Sequence, residues 1–462
     1  MIVREIPYAD PCAAFARWRQ ASFAAFLDSA ASGDPRSRFS YIAVEPFRTL
    51  TADATGVRID GRPVPGDPFA ALEGELARHR QPPATAPVPF AGGAVGFLGY
   101  ELGRHLEALP QRHPNRDRLP DMAIGFYDAV IAYDRAERRG WILSSGLAEA
   151  EPPARDARAR RRAAELAAEL AGASAEADLS PNAPAEWRFE LSRSDYIDRV
   201  RRLLDYIVAG DLYQANLTGR FLAPRPAGLD PFALYRRLRD LSPAPFAAYL
   251  ACGPDLQILS VSPERYLRLS ATGAIEARPI KGTRRRGATP AEDRALAAEL
   301  EASVKDHAEN LMIADLLRND IGRVAEIGSV RVPMLCGLET FASVHHLVSV
   351  IEGQLRPGLG PVDLLRAAFP GGSVTGAPKI RAMQIIDELE VARRGPYCGT
   401  IAWIGFDGAM DSAVVIRTLV AAPERLIVQA GGGIVADSDP DAEYEELLLK
   451  ARPLLAVAAA GA

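Results

Sequence analysis

The sequence predicts a mixed fold of the α/β (α+β) class from two observations. Residues 1–145 carry short strand-like runs separated by Pro- and Gly-rich turns, whereas beyond residue 187 long amphipathic helices alternate with strands. Between them, residues 178–186 (DLSPNAPAE) read as a linker. The chain therefore divides into an N-terminal region, 1–177, and a C-terminal region, 187–455. At 462 residues it is long enough to bury one large core or two intimately packed ones.

The elements follow in order. Runs at 41–44 (YIAV) and 122–127 (MAIGFY) are strands. Residues 154–173 are dominated by strong helix formers and stop at Gly172, with the arginines on a solvated face. A helix from Ser194 puts Ile197, Val200, Leu203, Leu204 and Ile207 on one stripe and ends at Gly210. Strands are predicted at 246–250, 257–261, 265–269 and 274–280, then at 400–406, 412–420 and 425–430. Helices are predicted at 291–318, 361–369, 376–392 and 440–451, the last opened by Asp439 as N-cap and Pro440 at the first helical position.

Composition excludes some classes. The chain is 48% hydrophobic and 24% charged, ordinary for a globular protein, and its net charge of −5 provides no basic field to attract nucleic acid. A small-molecule or protein partner is favoured. Cys12, Cys252, Cys336 and Cys398 form no CxxC pair and read as reduced, buried thiols. No run of about 18 apolar residues suits a membrane helix. The start, MIVREIPYADP, lacks a signal-peptide core, so a cytoplasmic location is expected.

Several segments carry chemistry. Glu309 lies in a helix with an apolar middle, where a carboxylate needs a cation. Glu443 and Glu446 share a helix face, with Lys450 one turn beyond. Two readings stay open for these acids: surface ion pairs, or carboxylates from two helices holding one hard divalent ion. GGSVTGAPK (371–379) lacks the P-loop lysine, since Ala377 stands in its place, yet it offers hydroxyls and N–H groups to an anion. His346, inside an apolar run, reads on its own as a core histidine. No G-x-C-x-G elbow surrounds any cysteine, so ammonia from glutamine would need another chain. Lys281, in ARPIKGTRRR, is either the first of four solvated cations or a nucleophile.

The ordered motifs SPERY, PIKGT, AENLMIADLLRND, ETFASVHHLVS, FPGGSVTGAPKIRAMQIID, GPYCGTIAW, VVIRTL, GGGIVADSDPDAEYEE and LKARPLL resemble the chorismate-utilising enzymes over residues 185–455. That family includes anthranilate, aminodeoxychorismate, isochorismate and salicylate synthases. LDSA at 27–30 and RFSYIAVEP at 38–46 resemble the N-terminal segment of its two aminating branches. The resemblance implies facing antiparallel β-sheets flanked by helices, with the active site in a cleft of the C-terminal half.

It also implies roles. Glu309 and Glu446 match Mg²⁺ ligands, with Glu443 as a water-mediated helper. Tyr397, Arg417, Gly433 and Lys450 match groups that bind the two chorismate carboxylates, with Thr375, Gly376 and Gly432 beside them. His346 and Ser373 match positions lining the substrate ring. Glu264 matches the general acid. Lys281 falls where anthranilate synthases typically carry alanine (PIAGT), and PIKGT is the pattern of the branch that makes aminodeoxychorismate, toward 4-aminobenzoate and folate. There the lysine is a nucleophile, and Arg284, Arg285 and Arg286 are expected to lower its pKa. A glutamine amidotransferase subunit is the implied ammonia source, and no lyase-like tail is recognised. Leu27, Ser29, Pro243 and Phe246 match a tryptophan pocket. The competing expectations are an anthranilate synthase and a non-catalytic subunit binding an aromatic ligand.

Overall fold

The computed structural model describes residues 1–83, 85–172, 185–341 and 344–458. Of the linker at 178–186, only the last two residues fall among them.

Two large antiparallel sheets make up the fold. The first runs, in spatial order, through Ile2–Ile6, Arg139–Ser144, Ala129–Asp134, Phe39–Ala43, Ala25–Asp28, Phe246–Ala251, Gln257–Ser262, Thr418–Ala421, Arg425–Ile434, Gln214–Pro224 and Arg188–Phe189. The second runs through Ile280–Arg285, Val344–Gln354, Ala274–Ala277, Arg265–Leu269, Met410–Val414, Thr400–Gly405, Gly93–Leu98, Met122–Tyr127, Arg48–Asp53, Gly56–Ile59 and Arg62–Val64. Each sheet takes strands from both sequence regions, through the pairings of Ala25–Asp28 with Phe246–Ala251 and of Gly93–Leu98 with Thr400–Gly405. The regions 1–177 and 187–455 therefore share both sheets.

Period-two alternation builds the layers. In Ala129–Asp134, Ile131 and Tyr133 join a core beneath the outer helices, while Val130 and Ala132 join a second core whose other wall is Val95, Phe97, Ala123, Tyr127 and Ile401 of the opposite sheet. A third core packs the outer face of that sheet against helices Pro68–Arg78, Val304–Gly322 and Pro361–Ala368. The molecule is thus the α/β sandwich of facing antiparallel sheets flanked by helices. No helix among the described residues is long and apolar enough to cross a membrane.

Several elements differ from the sequence expectation, and the differences shape the site. The helix expected at 291–318 is two, Pro290–Ala302 and Val304–Gly322, because Ser303 is extended (ψ 101°) and its side chain caps Asp306 N–H. The strand expected at 274–280 splits into Ala274–Ala277 and Ile280–Arg285 around Arg278-Pro279, where proline offers no N–H to a ladder. The strand expected at 412–420 splits into Met410–Val414 and Thr418–Ala421, which belong to different sheets, and Arg417 turns the crossing with φ 51°. A second crossing, from Gln257–Ser262 to Arg265–Leu269, carries Glu264. The helix expected at 376–392 covers only Lys379–Leu389, since Gly376–Ala377 pairs as a short strand with Gln214-Ala215.

Candidate active site

Lys281 stands on an edge strand with a bulge. Lys281 pairs with Leu347, yet Thr283 pairs with His346, so Gly282 is an extra residue in the ladder. Gly282 has φ 82°, and a Cβ there would lie 2.9 Å from Asp306 Cβ and Leu300 Cδ1. Only glycine accepts both constraints. From this bulge the lysine side chain, 14% exposed, crosses the cleft: Nζ is 3.9 Å from Glu309 Oε2 and 3.5 Å from where a Cβ on Gly433 of the other sheet would stand.

Three carboxylates of this cleft each have a lysine neighbour. Glu446 pairs with Lys450 at 2.6 Å, Glu309 with Lys281 at 3.9 Å and Glu443 with Lys305 at 4.0 Å. Burial raises the Glu309 and Glu443 carboxyl pKa values, and the charge of Glu446 pushes both the same way. Glu446 is lowered instead: burial opposes this, but Lys450, Lys305 and Lys281 together outweigh it. Gly432 leaves room between them, since its Cβ would be 3.1 Å from Glu443 Oε2 and 3.4 Å from Glu446 Oε1. Carboxylate oxygens suit a hard divalent cation such as Mg²⁺. Among the described residues no three acidic, histidine or cysteine side chains already converge on one point. Substrate or water oxygens would have to complete such an ion's shell.

Burial likewise lowers the Lys281 pKa, and Lys450 adds to the effect while Glu309, Glu264 and Glu446 oppose it. Arg284, Arg285 and Arg286 do not act as expected. They turn to Glu299 and Asp306, Glu292, and Asp293, so helix Pro290–Ala302 and the start of the next helix neutralise them. On the other side of the amine, burial pushes Glu264 up to about 7, opposed by a hydrogen bond from Ser373, by the charge of Lys281 and by the backbone of Ile280. A carboxyl group that titrates near neutral pH and an amine lowered by burial thus share one cleft.

His346 faces this strand, with Nδ1 2.8 Å from Thr283 Oγ1, and burial lowers its pKa to about 4. Tyr397, Arg417 and Lys450 gather on the far side. Arg417 donates from Nη1 to Lys450 O at 2.8 Å, and Lys450 Nζ donates to Gly431 O at 2.9 Å. Burial lowers the Arg417 pKa and raises that of Tyr397, and the two groups act on each other. The buried Thr375 hydroxyl donates to Gly371 O at 3.0 Å. Gly376 is a backbone partner of Ala215. Lys379, at the end of GGSVTGAPK, is bound to Asp320 at 2.5 Å and to Ala368 O at 2.7 Å, so its charge is already paired.

Sequence reasoning missed Gln214. Its side chain is wholly buried, neither amide atom has a hydrogen-bond partner among the described residues, and Nε2 lies 2.0 Å from the Cβ position of Gly433, the position that Lys281 Nζ also approaches. An unpaired buried amide costs stability unless a ligand satisfies it. Behind it, fully buried Arg394 ties Val374 O and Asn216 O, both at 2.8 Å, to Glu390. Pairing across strands far apart in sequence assembles this floor, and no local motif marks it.

A separate cavity of about 630 Å³ lies where the two regions meet. Leu27, Ser29 and Phe246 line it as expected, but Pro243 does not, and Pro245 takes its place.

The comparisons with known proteins agree with this architecture. The chorismate binding enzyme family matches residues 24–456, so the chain belongs to that family, and the match extends well ahead of residue 185. Aminodeoxychorismate synthase component 1 of Klebsiella aerogenes is 43% identical over 94% of this chain and 93% of its own length. The protein of that name from Escherichia coli K12 is 42% identical over 96% and 94%. Anthranilate synthase component 1 of Thermus thermophilus follows at 41% over 96% and 94%. Among solved structures, anthranilate synthase component I from Streptococcus pneumoniae superposes with a TM-score of 0.81 at 33% identity, covering 90% of this chain and 92% of that one.

Proposed function

We propose that this chain converts chorismate and ammonia to 4-amino-4-deoxychorismate. The carrying observation is Lys281, a buried amine held by a glycine bulge across the cleft from Glu264. Its amine, uncharged in the reactive form, attacks C2 of the substrate ring. Both conjugated ring double bonds shift, the C4–O bond breaks, and protonated Glu264 delivers its proton to the departing oxygen, which leaves as water. Ammonia then bonds to C4, the two double bonds shift back, the C2–N bond breaks and Lys281 departs. The Glu264 carboxylate takes the proton that ammonia sheds. Two successive displacements retain the configuration at C4, which one direct displacement would invert.

Arg417, Tyr397 and Lys450 suit the substrate carboxylates, with the guanidinium as the planar fork. Gln214 offers its amide to a ligand beside the lysine, and His346 and Ser373 wall the ring. A Mg²⁺ ion held by Glu309 and Glu446, with Glu443 assisting, would neutralise and orient one substrate carboxylate.

Ammonia comes from a partner glutamine amidotransferase subunit in this reading. Burial raises all four thiol pKa values, those of Cys12 and Cys398 to about 12, so none is primed to hydrolyse glutamine here. Free cysteines also fit a reducing, cytoplasmic setting. The cavity at Leu27, Ser29 and Phe246 is proposed to hold tryptophan, as the resemblance implies.

Anthranilate formation is the second reading, because relatives of that name match at 41% identity. Mass analysis of products from chorismate, Mg²⁺ and ammonium at mildly alkaline pH separates the two. Wild type is expected to yield aminodeoxychorismate, and Lys281→Ala to lose it or divert toward anthranilate. Anthranilate and pyruvate from wild type would refute the proposal.

A further inference from the structure

The N-terminal region reaches toward the active site through one side chain. Arg36 sits in the loop after strand Ala25–Asp28, which is fastened to the C-terminal region where Ala30 N–H and Ala31 N–H both donate to Ala244 O, at 3.1 and 3.3 Å. Among the described residues the Arg36 guanidinium hydrogen-bonds only Asp34, through Nε to Oδ1 at 2.9 Å and Nη2 to Oδ2 at 2.6 Å. That fork fixes the guanidinium plane. Arg36 Cζ then lies 4.3 Å from the Phe341 ring centroid, with Phe246 on another side at 6.0 Å. This is close range for a cation–π contact, in a spot where the arginine side chain is only 12% exposed.

Phe341 passes the contact on. Its ring centroid is 5.6 Å from that of His346. Its own backbone is pinned, with N–H donating to Val344 O at 2.8 Å and the carbonyl accepting from Arg286 Nη1 at 2.7 Å. His346 in turn holds Thr283 by Nδ1, and Thr283 is the residue just past the Gly282 bulge that aims Lys281. The Arg36 charge also helps, after burial, to keep the imidazole uncharged.

We propose that Arg36 is a positioning residue for the reaction, holding the His346 imidazole in place through the ring of Phe341. The inference rests on the reaction and on the ring-lining role of His346 given above. Arg36 lines the separate cavity of about 630 Å³ rather than the active-site cleft, and among the described residues its side chain bonds no helix or strand end, so its effect is on geometry at His346 rather than on folding. A small misplacement of a group beside the reacting atoms is enough to slow chemistry severalfold.

The test is steady-state kinetics of the full chain with chorismate, Mg²⁺ and ammonium for wild type, Arg36→Ala, Arg36→Lys, Phe341→Leu, the Arg36→Ala/Phe341→Leu double variant and His346→Asn, with thermal midpoints beside them. Arg36→Ala is expected to lower kcat roughly five- to tenfold with KM for chorismate within about twofold and the midpoint little changed. Arg36→Lys keeps the cation and restores most of the rate, while the double variant is no slower than the worse single one. Wild-type kcat in Arg36→Ala alongside an impaired His346→Asn would overturn the positioning role and leave the reaction standing. A loss in Arg36→Ala that lysine does not restore and that tracks a fallen midpoint would also overturn it. Full activity in His346→Asn would refute the reading of the site beneath it.

Discussion

Glu264→Gln is expected to make the protein more stable and nearly inactive. Burial places the Glu264 carboxyl group at about 7 against an ordinary 4.5, so the folded protein holds a proton that the unfolded chain releases between those values. Stability therefore falls as pH rises from about 4.5 to about 7, and the full penalty applies above that window. At about 1.4 kcal/mol per pH unit the penalty is on the order of 3 kcal/mol. Glutamine keeps the shape, carries no charge and escapes the penalty. Denaturant unfolding of both proteins at pH 5 and pH 8, beside turnover assays, measures the effect. The advantage of the variant is expected to be small at pH 5 and on the order of 3 kcal/mol at pH 8, with product formation lowered by at least about a hundredfold. An equal difference at both pH values would refute the burial argument, and an active variant would refute the role as proton donor.

Three other outcomes follow from distances in the site. Gly433→Ala puts a methyl group 2.0 Å from Gln214 Nε2 and 3.5 Å from Lys281 Nζ, so KM for chorismate is expected to rise about tenfold or more in steady-state assays with the fold intact by circular dichroism. Glu309→Gln and Glu446→Gln are expected to raise the Mg²⁺ concentration for half-maximal rate at least about tenfold, read from metal titrations of activity. Arg394→Met leaves Glu390 buried without its cation, and a loss on the order of 3–5 kcal/mol is expected in urea unfolding, because Arg394 is 4% and Glu390 6% exposed.

What the sequence made legible was local. PIKGT marked Lys281, Glu309 could be phased on a helix from its apolar neighbours, and Glu446 from its i, i+3 spacing to Glu443. Gly282 following the lysine is itself a bulge signal, because only a glycine tolerates both its φ and its closeness to Asp306. Two boundaries went astray because the punctuation is weak: Ser303 breaks a run of helix formers without glycine or proline, and Arg417 takes φ 51° at a sheet crossing where nothing in VVIRTL announces a turn. Nor does local sequence show which cations are spent. Arg284, Arg285 and Arg286 look like a basic cluster beside the lysine until helix Pro290–Ala302 folds back to pair with them. Gln214 was invisible for the same reason, since its neighbour Gly433 lies 219 positions on and meets it only through the pairing of Gln214–Pro224 with Arg425–Ile434.

The most direct test of Lys281 as nucleophile is the intact mass of the protein, quenched in acid after mixing with chorismate and Mg²⁺ with ammonia withheld. A gain of one chorismate less one water, mapped by peptide analysis to Lys281 and missing from Lys281→Ala, is the expected result. Unmodified protein throughout, from a preparation that makes aminodeoxychorismate once ammonium is added, would contradict it.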